Sequence, residues 1–206
     1  MHIVDGALST EVVTGGAVLA VAGIAYGLKH LSMEKIPAAG MLSATFFVAS
    51  LIHVPLGPSS IHLIMNGVAG MILGWAAFPA LFVGLLLQAV FFGFGGITVL
   101  GINSLNIALP GVLVFYLCRS ALAGGSSRKA AIWGGIGGAF AISLTTLFVA
   151  FSLALSGDEF LPAAKFVFFA HIPVMVIEGL LSAAAIYLIA TAKPELFSIM
   201  QRGAEE

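Results

Sequence analysis

The chain begins MHIVDGALST, and its first two residues carry a terminal amine, a peptide nitrogen and an imidazole within a few bonds of one another. The amine of Met1 and the peptide nitrogen of His2 close a five-membered ring around a metal ion. The same peptide nitrogen and His2 Nδ1 close a six-membered ring. Three nitrogens in one plane, one of them a deprotonated amide, favour a tetragonal ion such as Ni(II), Cu(II) or Co(II). The fourth corner needs one more donor, and His53 and His62 open and close the segment HVPLGPSSIH. Asp5, Ser60, Gln88 and Asn103 are the polar candidates to support such a site from around the ligands. The plainer reading of Met1-His2 is a start codon on a loose tail. Against it, apolar Ile3 and Val4 are placed to plug into a packed body, and Asp5-Gly6 to turn the chain, so residues 1–10 read as a metal-binding tail.

The body behind this tail is apolar. Of 206 residues 60% are hydrophobic and only 8% charged, and the mean hydropathy is +1.13. A soluble core does not require that much apolar surface, so lipid is the expected solvent. From Ile36 to Cys118 there is no Asp, Glu, Lys or Arg, room for about three to four crossings. The formal net charge of −1 offers no basic patch for nucleic acid. The single cysteine, Cys118, excludes an internal disulfide and a cysteine metal cluster. The start lacks the basic region and cleavage site of a signal peptide, so the chain is expected to keep its own beginning.

Seven apolar segments are expected to span, at about 11–28, 37–54, 62–78, 79–95, 97–118, 129–156 and 160–191. The result is one all-α domain over residues 1–206. The third and fourth segments meet near Pro79, and HVPLGPSS reads as a loop. Seven of the eight basic residues, Lys29, Lys35, Arg119, Arg128, Lys129, Lys193 and Arg202, fall at one set of segment ends, which the positive-inside rule makes cytoplasmic. That places the N-terminus outside and the C-terminus inside. The tail, HVPLGPSSIH and GFGGI then share the outer face.

Other polar residues lie within apolar runs. Asn66, Gln88, Asn103 and Asn106 read as interhelical hydrogen bonds unless they line a cavity. His171 and Glu178, two turns apart on one helix face, read as a mutual pair or a proton relay. The small residues of WGGIGGAFAIS, Gly134 and Gly138 among them, allow close helix approach, either to a partner subunit or within the bundle.

Four blocks in this order, MHIVDG, PLGPSSIHLIMNG, LLLQAVFFGFGGITVLGINSLN and FFAHIPVMVIEG, resemble the CbiM/NikM family. These are metal-capturing membrane components of energy-coupling-factor transporters for cobalt and nickel. The resemblance implies a capture fold of six helices plus an extra N-terminal one, in the plasma membrane of a prokaryote. It implies Co(II) or Ni(II) as the transported ligand, with no cofactor. The partners it implies are a transmembrane coupling subunit, paired cytoplasmic ATPases and a small accessory membrane protein. It maps the metal ligands onto Met1, His2 and His62, with His53 the alternative because subgroups differ around the loop histidine. The chain lacks a phosphate-binding glycine loop with its lysine, so ATP hydrolysis is expected in other chains. The competing classes are an intramembrane metal enzyme built on His53, His171 and Glu178, which lacks an H-E-x-x-H pattern, and a stand-alone facilitator.

Overall fold

The structure, a computed structural model, describes residues 2–51, 53–56, 59–123, 126–194 and 196–197. It is a helical bundle of α1 (Thr10–Lys29), α2 (Ile36–Ala49), α3 (Asn66–Leu73), α4 (Ala77–Phe92), α5 (Leu100–Leu122), α6 (Ser127–Ser156), α7 (Leu161–Ala170) and α8 (Ile172–Ala192), with one two-stranded hairpin, β1 (His53–Leu56) and β2 (Ser59–His62). Among the described residues five helical runs are long and apolar enough to cross a membrane, with Asn66–Phe92 counted as one run.

The helix ends follow local chemistry. Ser9 Oγ accepts from the Val12 amide at the start of α1, with Glu11 in the first turn and Lys29 in the last, each favourable to the helix dipole. Pro37, Pro162 and Pro173 stand in the first turns of α2, α7 and α8, where a missing N–H costs nothing. The last of these divides the expected segment 160–191 into two helices at His171.

The run 66–92 reverses direction. Gly67 meets Gly138 and Ala141, while Trp75 reaches Tyr26 and Tyr116 near the far ends of α1 and α5. α4 then returns, placing Gln88 beside Ser50 and His2. The turn is made at Gly74–Ala76, three residues before the proline that the sequence suggested. Eight residues of α3 rise only about 12 Å, less than half a bilayer core. The rest of that crossing is the hairpin and the segment 63–65, so the expectation of helix to residue 54 and loop beyond is corrected: α2 stops at Ala49, and His53 pairs with His62 across an antiparallel ladder. Backbone at membrane depth must satisfy its polar groups within the protein, and strand pairing does so.

α3 is buried along its whole length, whereas α1 and α8 leave apolar side chains such as Val18, Val21, Leu180 and Leu188 for lipid. Glycine contacts set how closely α3 approaches α5 and α6 approaches α8. A Cβ on Gly70 would overlap the backbone of Gly111 on α5. On α6, Gly134 lies against Ile186 and Gly138 against Ser182 and the Glu178 carbonyl. Of the two readings of WGGIGGAFAIS, Gly134 and Gly138 follow the second: they pack within the bundle against α8. Gly70→Ala is expected to cost more than about 2 kcal/mol, because the obstacle is backbone and cannot rotate away. A lowered midpoint of thermal unfolding in detergent checks this.

Candidate metal centre

The N-terminal tail is threaded into the bundle rather than laid over it. Ile3 is fully buried among Val149 and Leu153 of α6 and Ala164 and Val167 of α7. Val4, expected to plug in beside it, is exposed. Asn103 of α5 holds the Ile3 backbone from both sides: its Oδ1 accepts from the Ile3 amide at 3.0 Å and its Nδ2 donates to the Ile3 carbonyl at 3.0 Å. The Asp5 amide donates to Gly95 O at 2.8 Å, and Thr98 Oγ1 donates to the Asp5 carboxylate. GFGGI is thus a seat for the tail. Gly95 and Gly96 have φ of +75° and +117°, and a Cβ on Gly96 would overlap the Asp5 carboxylate. Only glycine takes that backbone shape without strain.

This threading buries His2 and brings its ring over His62, with centroids 4.5 Å apart and planes 22° from parallel. The hydrogen bonds decide which nitrogen of each ring carries a lone pair. Gln88 Nε2 donates to Ser50 Oγ and to the Phe46 carbonyl, so Gln88 Oε1 is the acceptor that faces His2 Nε2 at 2.7 Å. His2 Nε2 must carry the proton, and Nδ1 has the free pair. His62 Nδ1 donates to the Leu63 carbonyl at 2.8 Å. That leaves His62 Nε2 as an acceptor, buried and without a hydrogen-bond partner. Burial pushes the His2 imidazole down to about 3, so the ring is neutral at pH 7.

The hairpin supplies the second imidazole. Ser60 shares the strand face of His62 by its two-residue spacing. His53 stands directly opposite His62 in the ladder, but its ring packs edge-on against Phe94 at 4.2 Å and its Nδ1 lies 3.3 Å from the Leu51 carbonyl. Phe94 also reaches the His2 ring, at 6.2 Å. The fold thus places His2, His62, Gln88 and Asn103 together, Asp5 at the neck of the tail, and His53 behind Phe94. Met1 lies outside the described residues.

Glu178 does not pair with His171. Its carboxylate accepts from the Ile64 and Met65 amides, while His171 Nδ1 bonds the Val167 carbonyl at 2.6 Å. Nor do His53, His171 and Glu178 gather into a centre: among the described residues no group of three or more His, Cys, Asp or Glu side chains converges. Phe94 and the amides that Glu178 holds are the parts of the site sequence reasoning missed.

Fold and site define a multi-pass membrane protein with two buried imidazoles facing each other where its N-terminal tail enters the bundle. Residues 2–196 match the family described as the cobalt uptake substrate-specific transmembrane region, CbiM, and the chain belongs to that family. It is 42% identical over 200 residues to a Haemophilus influenzae protein whose name proposes metal transport, covering 96% of this chain and 97% of that one. It is 32% identical over 207 residues to the fused nickel transport protein NikMN of Rhodobacter capsulatus, covering 93% of this chain and 60% of that longer one. A crystal structure of a truncated transition metal transporter superposes with a TM-score of 0.80 at 26% identity, covering 93% of this chain and 99% of that one. The family resemblance read from four blocks therefore extends over nearly the whole chain, and the family is one of metal transport components.

Proposed function

We propose that this chain is the capture component of an ATP-driven energy-coupling-factor importer for Co(II) or Ni(II). It takes the ion at the outer face and releases it inward. The ion is held by the Met1 amine, the His2 peptide nitrogen, His2 Nδ1 and His62 Nε2. The observation that carries this reading is the pair of complementary tautomers: Gln88 and Leu63 each occupy the ring nitrogen that the chelate does not use. A ligand imidazole whose other nitrogen is engaged by the protein is the usual design of a metal site. The two ring centres stand 4.5 Å apart, near enough for one ion to be reached by a nitrogen of each.

The distribution of charge supports the orientation. Lys29, Arg119, Arg128 and Lys129 lie at the ends of α1, α5 and α6 remote from His2. Tyr26, Trp75 and Tyr116 cluster at that same end, with the Arg119 guanidinium 5.0 Å over the Tyr116 ring, as aromatic and basic residues do at a cytoplasmic interface. The energy source is a transmembrane coupling subunit with paired ATPases, and a small accessory protein completes the complex.

The chelate makes a numerical prediction. Near pH 7 the terminal amine, with an ordinary pKa of about 7.7–8.0, is mostly protonated, and the His2 amide always is. The His2 ring is already neutral, since its own transition lies near 3. Binding one ion should therefore release about two protons, and affinity should fall as pH drops from 8 to 5 without any contribution from the His2 ring. Calorimetric titration with Ni(II) in buffers of different ionisation enthalpy counts those protons. A count near zero refutes the amine–amide chelate. Loss of uptake when the partner ATPases are deleted separates an importer from a facilitator.

A further inference from the structure

Glu178 is a fully buried residue of α8, and the four-nitrogen chelate makes no use of it. Its Oε1 accepts from the Ile64 amide and, at 3.0 Å, from the Met65 amide, while Oε2 lies 3.1 Å from the same Met65 nitrogen. These amides belong to the turn that leads from His62 into α3. Met65 has φ of 57°, in the left-handed region, and is the sole non-glycine residue with positive φ among those described. A side chain bearing a β-carbon is strained there and stays only if its surroundings impose it.

The turn contains the other end of the His62 tautomer device. His62 Nδ1 donates to the Leu63 carbonyl, and the next two amides donate to Glu178. Imidazole, carbonyl and amides thus form one short rigid piece, suspended from α8 across a gap of more than 110 residues in sequence. α8 is itself held against α6 by the close approach of Gly135 to Gly179 and of Gly138 to Ser182. A carboxylate at the amino end of α3 also complements that helix's dipole.

We propose that Glu178 is a positioning residue for metal capture: by holding the Ile64–Met65 turn it fixes His62 Nε2 at the fourth corner of the site. The proposal rests on His62 being a ligand. Glu178→Ala releases two buried amides and lets the turn, with its imidazole, leave the His2 ring. Glu178→Gln keeps an oxygen where both amides already point.

The test is a thermodynamic cycle of Ni(II) binding to the full chain with its native N-terminus, in nanodiscs, with circular dichroism confirming retained helicity. Glu178→Ala is expected to weaken binding about 10- to 100-fold, the range typical of groups that orient a ligand, and Glu178→Gln to restore it to within about threefold of the parent. In a His62→Ala background, where the three remaining nitrogens still bind, Glu178→Ala should add nothing. An unchanged affinity in Glu178→Ala, or the same loss with His62 absent, overturns the proposal, because a general packing role would act regardless of that imidazole. Full affinity in His62→Ala alone instead refutes the ligand reading. Should the alanine variant fail to fold, Glu178→Asp, one methylene short of the turn, is judged by the same outcomes.

Discussion

One glycine added ahead of Met1 is expected to bring Ni(II) and Co(II) uptake down to background while the protein remains folded in the membrane. Every side chain is kept in that variant, and only the amine moves. The five-membered ring needs the amine on the residue directly before the His2 peptide nitrogen, and the addition places it one residue farther out. The tail cannot slide inward to compensate. Asn103 grips the Ile3 backbone through two hydrogen bonds, Gly95 O holds the Asp5 amide, and the Ile3 side chain is fully buried. A histidine in third place offers a different chelate of amine, two amides and imidazole. That chelate fills four corners alone, excludes His62 and holds the ion too firmly to pass it on. The measurement is uptake by cells carrying the complete complex, with native and extended chains compared side by side. Equal uptake would show that Met1-His2 is only where translation begins.

The parts of the molecule that could be read from sequence are those decided by composition or by bonds between neighbouring residues. The apolar runs gave the bundle, and the chelate rings of Met1-His2 follow from covalent geometry without any fold. Ile3 as a plug was legible because a large apolar residue next to a polar start has few other uses. The hairpin was not. HVPLGPSS has two prolines and little alternation, so local propensity favours a loop, and the strands pair because unsatisfied backbone at that depth is too costly. Gln88 and Asn103 were visible as amides at membrane depth, but whether they bridge helices or grip the tail depends on contacts 86 and 100 residues distant. Glu178 was misjudged for a related reason. A two-turn spacing to His171 suggests a partner on the same face, whereas its real partners are backbone amides, which leave no trace in residue identity. The break at His171 and Pro173 also leaves His171 at the junction of α7 and α8, outside the helix that carries Glu178.

His62→Ala is expected to lower Ni(II) affinity by more than about 100-fold, beyond the 10- to 100-fold cost of losing a supporting group, whereas His53→Ala should change it little. The two histidines face each other across the same ladder, so proximity in the hairpin does not separate them. Their hydrogen bonds and neighbours do. His62 is buried against the His2 ring with its Nε2 free of protein partners, and the Leu63 carbonyl fixes its tautomer. His53 lies against the edge of Phe94, which also contacts His2. For His53 to become the fourth ligand, Phe94 would have to leave both rings, and the His62 lone pair would stay buried with nothing to accept from. A buried polar atom left so costs about 1–3 kcal/mol, and an ion at His62 removes that cost where one at His53 does not. Metal content of the two purified variants, each with its native N-terminus, decides the matter. A full complement in His62→Ala together with an empty His53→Ala would move the fourth corner to His53.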